Sequence, residues 1–156
     1  MTTTSHALTG AMIATVVKKP WLAIPLAFLS HFVCDAIPHF GIVMSFGSPS
    51  MYTWLLVDGF AAVTFAIFLV KKSVNSPVLL AVCGFAAMSP DLAWFYYGMN
   101  GQLNNITTLD PISRFHAIIQ WYQHPVGILV ELFWITSMVA LILRFNNENY
   151  KNCSAS

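Results

Sequence analysis

Residues 51–72 read MYTWLLVDGFAAVTFAIFLVKK. The first twenty carry a single charge, Asp58, and the run closes on Lys71-Lys72. Twenty helical residues reach ~30 Å at ~1.5 Å each, which is the thickness of a bilayer's hydrocarbon core. A strand of a transmembrane barrel would alternate apolar and polar positions, and this run does not. The stretch therefore predicts a membrane-spanning helix.

Similar runs lie on both sides. Residues 77–98 form one, interrupted at Ser89-Pro90-Asp91, and residues 125–143 form another, closed by Arg144. Upstream, residues 21–37 (WLAIPLAFLSHFVCDAI) and the shorter 5–17 (SHALTGAMIATVV) are apolar too, parted by Lys18-Lys19-Pro20. Residues 41–50 and 99–110, rich in small and polar types, read as loops. Residues 111–124, with Trp121 and Tyr122 near their end, read as a helix lying in the membrane interface. The expectation is an all-α chain: a polytopic helical membrane bundle of about five apolar helices plus one interfacial helix. It forms a single domain over residues 1–145, with 146–156 as a flexible polar tail.

Composition agrees. Thirteen of 156 residues are charged, or 8%, where a soluble domain carries roughly 25%. Hydrophobic residues make up 57%, and mean hydropathy is +0.67. A disordered chain, a coiled coil and an ordinary cytosolic enzyme are excluded. A net charge of +1 offers no basic footprint for nucleic acid. Three cysteines without a C-x-x-C pair give neither a disulfide framework nor a thiolate zinc cage. The first residues lack the basic region of a secretory signal, so the first apolar stretch is expected to stay in place. With alternating helices, six of the seven basic residues fall on one side, Arg114 being the exception. The positive-inside rule makes that side cytoplasmic, which puts the N-terminus outside and the C-terminus inside.

Four of the six acids, Asp35, Asp58, Asp91 and Glu131, fall inside apolar segments, as do His6 and His31. No Lys or Arg accompanies them. Unpaired, four such acids cost on the order of 10 kcal/mol in a bilayer, so protonation, water or a bound cation must compensate. Counting from the basic edges places all six at ~18–24 Å from the cytoplasmic face, in one layer toward the outer side. His31 and Asp35, spaced i, i+4, share a helix face. Imidazole with carboxylate is the ligand set of zinc, manganese or iron. The candidate metal ligands are His6, His31, Asp35, His39 and Asp91. Neutral histidines hydrogen-bonded to protonated acids are the structural alternative. Ser89-Pro90 predicts that the fourth helix breaks at Met88 and restarts with Asp91 in its first turn. In 111–124, His116, Gln120 and His124 share a face that could cover the site, with Arg114 as a phosphate grip. Trp54, Trp94, Tyr96, Tyr97, Trp121 and Tyr122 read as an interface belt.

At Ser5-His6-Ala7-Leu8-Thr9-Gly10, Ser30-His31-Phe32-Val33-Cys34-Asp35-Ala36-Ile37-Pro38-His39 and Ser89-Pro90-Asp91, the chain resembles small bacterial inner-membrane proteins assigned as metal-dependent hydrolases, a LexA-regulated one among them. More distantly it is similar to zinc-dependent phospholipase C proteins. The resemblance implies a His/Asp centre at His6, His31, Asp35 and Asp91, in a bacterial cytoplasmic membrane. That family often has a further Asp and His after Pro-Asp, where Ala93 and Trp94 stand here. The departure points away from a binuclear centre.

The function expected is a membrane-embedded metal-dependent hydrolase of a lipid-like ester or phosphoester. Its cofactor would be a divalent metal, zinc first, then manganese or iron. Glu131 or Asp58 would act as general base and His116 as general acid. The bilayer is its partner, with no nucleic acid. A non-enzymatic ion- or proton-handling protein, or an accessory protein whose polar layer serves packing, is the competing expectation.

Overall fold

A computed structural model describes residues 1–41, 46–72, 76–120 and 123–154. They form six α-helices: α1 (Thr3–Val17), α2 (Pro20–Asp35), α3 (Pro49–Lys72), α4 (Pro77–Met99), α5 (Pro111–Ile119) and α6 (Ile128–Ser154). Short 3-10 turns at Gln102–Asn104, Ile106–Thr108 and Pro125–Gly127 fill the connections.

Local chemistry sets these limits. Proline occupies the first turn of α2, α4 and α5, where its missing N–H has no partner to lose. Ser76 caps α4 through Leu79 N at 3.4 Å. Asp110 caps α5 through Ile112 N at 2.9 Å and Ser113 N at 3.1 Å. α2 ends at Asp35, ahead of Pro38, since the residue before proline disfavours helix.

Among the described residues three helical segments, not about five, are long and apolar enough to cross a membrane: Pro49–Lys72, Pro77–Met99 and Pro125–Glu148. α1 and α2 have 15 and 16 residues. At ~1.5 Å per residue they reach ~22–24 Å, short of a ~30 Å core. The long helices turn bulky apolar side chains outward; Leu56, Phe60 and Phe133 are each more than 70% exposed. So much exposed apolar surface, together with these lengths, is what a membrane protein shows.

α1 is the centre of the bundle and packs on α2, α3, α4 and α6. Its small residues make this possible. A Cβ at Gly10 would lie 2.2 Å from the Cys83 carbonyl oxygen, and one at Gly84 would lie 3.3 Å from that of Ala7. α1 and α4 thus touch backbone to backbone, as small residues permit in membrane bundles. The core continues through Leu8, Ala11, Ala14, Ala23, Ala27, Cys83, Ala87 and Ile142. A short parallel bridge joins His39 to Gln123, tying the end of α2 to the segment before α6.

One expectation changes. α4 runs unbroken through Pro90. Proline removes the bond that would reach the Ala86 carbonyl, and the Ser89 hydroxyl donates to that oxygen instead at 2.9 Å. The polar stretch from Asn146 is helical to Ser154; Arg144 and Glu148 pair one turn apart at 3.0 Å.

Candidate metal centre

Five polar side chains from four helices meet where α5 crosses the ends of α2 and α4. His6 comes from α1, His31 and Asp35 from α2, Asp91 from α4 and His116 from α5. All but Asp91 are at most 1% exposed. The Asp91 side chain is 30% exposed.

Asp35 is the hub. Its Oδ2 lies 2.6 Å from His116 Nε2, 3.3 Å from His31 Nε2 and 2.9 Å from Gln120 Nε2. Its Oδ1 lies 3.1 Å from His6 Nε2 and also contacts the Met1 amino group. Asp91 Oδ1 faces His31 and His116 at 3.7 and 3.8 Å. His31 and His116 bring their Nε2 atoms to 3.1 Å.

His31, Asp35, Asp91 and His116 each offer one ligand atom, and the four lie within 4.8 Å of one another. A tetrahedral ion with ~2.0 Å bonds separates its ligands by about 3.3 Å, and the contacts above scatter around that value. This group could hold a metal ion. The outer contacts suit the task. His31 Nδ1 donates to the Ala87 carbonyl at 2.8 Å, which fixes the ring with Nε2 turned into the cluster. Pro90 sits three residues beyond Ala87 in the helix it locally loosens, which links the proline to the orientation of His31. Trp94 packs edge-on against His116 at 5.4 Å, and Phe32 lies against both His31 and His116. Trp94 is therefore a wall of this site.

Asp58 and Glu131 sit one turn away, on the first turn of α1. Asp58 accepts from Thr3 N at 2.7 Å, Thr4 N at 3.2 Å and the Thr4 hydroxyl at 2.6 Å. Glu131 accepts from Thr2 N at 3.0 Å, the Thr2 hydroxyl at 2.8 Å and the Ser5 hydroxyl. The leading N–H groups of a helix need such partners, and its positive end favours carboxylates. These acids clamp α1 and hold His6 in register. His39 is not brought to the cluster: its Nδ1 meets the Ile37 carbonyl at 2.7 Å, and its Nε2 lies 3.4 Å from Gln123 Nε2.

Gln120 is a member that charge counting passes over. Its amide contacts both Asp35 and His116, at 2.9 and 2.7 Å; the signal available was its i, i+4 spacing from His116. Arg114 spends its guanidinium on the Thr107 and Leu109 carbonyls, at 2.7 and 3.3 Å. Trp121 and Tyr122 lie outside the described residues.

A cavity of about 190 Å³ opens beside His116, lined by Phe28, Ser89, Ala93, Asp110 and Ser113 among others. Hydrogen bonding from Ser113, then from Ile112 and Tyr97, holds the Asp110 carboxyl below its usual value near 3.8. Compared with protein-family models, curated proteins and solved structures, the chain matches none.

Proposed function

We propose that the protein is a membrane-embedded, metal-dependent hydrolase of a lipid-like ester or phosphoester. The observation that supports this most is the convergence of His31, Asp35, Asp91 and His116 beside an open cavity, at the edge of a bundle with three membrane-length helices. Zinc suits two imidazoles and two carboxylates, with manganese or iron as alternatives. A bound ion lowers the pKa of its water to near 7 and polarises the scissile bond. Asp91, the partly exposed ligand on the longer contacts, is the one free to shift toward an incoming group. Asp58 and Glu131 position α1 in this scheme rather than acting on substrate. His116 serves as a ligand through Nε2, the atom that Gln120 contacts. The home of the protein would be a bacterial cytoplasmic membrane, with the centre toward the non-cytoplasmic side.

Elemental analysis of detergent-purified protein tests the centre. Wild type should carry stoichiometric metal and His31→Ala should lose it; metal-free wild type would end the proposal. Product release from mixed phospholipid vesicles tests the chemistry. Cation or proton flux without product release would instead select an ion-handling protein.

A further inference from the structure

His6 is the member of the cluster that a single ion does not explain. It is fully buried, and neither ring nitrogen has a hydrogen-bond partner among the described residues. Its Nε2 is 3.1 Å from Asp35 Oδ1 but lacks the alignment of a hydrogen bond. A buried imidazole left this way is destabilising, unless something else takes its lone pair.

The two carboxylates divide their oxygens in the same sense. Asp35 points Oδ2 at His31 and His116 and Oδ1 at His6. Asp91 points Oδ1 at His31 and His116, and Oδ2 at His6 at 3.9 Å. Each therefore spans two positions, as a carboxylate bridging two cations does.

The rings exclude a shared ion. His6 and His31 are stacked, with centroids 4.0 Å apart and planes 22° apart. An imidazole nitrogen binds a metal along its lone pair, in the plane of its own ring, at ~2.0 Å. Two nearly parallel planes this far apart do not meet within that distance. One ion lying in both planes is geometrically excluded, whereas two ions side by side are not. Two-metal sites place their ions ≈ 3.5–4 Å apart, which is the spacing of the stacked rings.

Building on the one-ion centre proposed above, we infer that the site holds two divalent cations bridged by Asp35 and Asp91. The first is held by His31 and His116, the second by His6. The second ion has three protein ligands and so keeps a position open for water, as catalytic metals do. The second histidine comes from α1 and not from residues 93 and 94, so the departure at Ala93 and Trp94 does not preclude a pair.

The test strips the purified full-length protein with chelator, reloads it with Mn²⁺ alone, and reads stoichiometry and electron paramagnetic resonance. Wild type should hold two ions per chain with a spin-coupled signal. His6→Phe keeps the ring stack but removes the nitrogens; it should hold one uncoupled ion. One uncoupled ion in wild type overturns the pair and leaves the single-ion centre standing, with the Met1 amino group as the counter-charge on Oδ1. No bound Mn²⁺, together with no metal in the protein as purified, overturns both proposals. Two ions in both proteins overturn His6 as the ligand. Should His6→Phe not fold, the coupling in wild type decides alone.

Discussion

Asp58→Asn separates a structural carboxylate from a catalytic one. In the structure Asp58 gathers two backbone N–H groups and one hydroxyl from the first turn of α1, at 2.6–3.2 Å. Asparagine keeps the shape but offers one accepting oxygen, and its amide NH₂ meets a donor where Oδ2 met Thr3 N. The part-buried Thr3 N–H is left unpaired, at ~1–3 kcal/mol, and the remaining bonds lose their charge assistance. The favourable placement of an anion at a helix N-terminus, ~0.3–1 kcal/mol, is lost as well. The sum is about 2–3 kcal/mol. For a chain of this size each kcal/mol moves Tm by ≈ 2–4 °C, so a melt in detergent should fall by roughly 4–12 °C. Because α1 carries His6 one turn on, Mn²⁺ binding at the His6 side should weaken in parallel. Glu131→Gln should behave alike, since it too serves the Thr2–Ser5 turn. An Asp58→Asn protein that melts with wild type while losing hydrolysis would refute the clamp and return Asp58 to the role of base.

Four further outcomes follow from the same geometry. Gly10→Val drives a side chain into the Cys83 carbonyl, 2.2 Å from where its Cβ would stand; such overpacking costs ~1–3 kcal/mol or more, and Tm should fall. Chelation should lower Tm in wild type and leave His31→Ala unmoved, because an ion at 1,000 times its Kd adds ≈ 4 kcal/mol to the folded state. Gln120→Leu should leave the bundle folded and metal retention unweakened, since the amide it removes meets Asp35 Oδ2 and His116 Nε2, the atoms an ion would itself take. Asp110→Ala should cost ~1 kcal/mol at neutral pH by removing the α5 cap. The folded carboxyl titrates below 3.8, so the cap's contribution is complete above that value and is lost as pH falls through the folded pKa. The gap between wild type and Asp110→Ala in melts should therefore narrow in acid and hold steady from pH 5 upward.

What was legible in the sequence was whatever depends on neighbours along the chain. The span at 51–70 and the i, i+4 pair of His31 and Asp35 both follow from local spacing, and the structure shows them as α3 and as one face of α2. The number of crossing helices was not local. α1 and α2 are apolar but short, and their place is decided by how closely neighbours approach. For α1 this turns on the Gly10–Cys83 and Gly84–Ala7 contacts, which join residues more than 70 positions apart. Pro90 shows the same limit. Ser-Pro-Asp reads as a restart because serine caps helices, yet here the serine repairs the carbonyl that proline strands.

The acids carry this furthest. Asp35, Asp58, Asp91 and Glu131 looked alike: charges in apolar segments at one depth, each needing a positive partner. They met that need in two ways. Asp58 and Glu131 found theirs in the N–H and hydroxyl groups of the α1 start, partial charges that no count of Lys and Arg includes. Asp35 and Asp91 found imidazoles. A neutral imidazole whose other nitrogen already donates, as His31 does to Ala87, presents only a lone pair. Two carboxylates facing lone pairs at 3.1–3.9 Å repel unless protons or cations lie between them. Protons suffice where the alignment is that of a hydrogen bond, as for His116 and Asp35. At His6, whose ring nitrogens are buried and unaligned, the cation in place is the Met1 amino group on the same Asp35 oxygen, and the second ion inferred above would take its position. The layer of acids therefore divides into a clamp that orders α1 and a centre that could hold a metal ion, with His6, carried by the clamped helix, as the joint between the two.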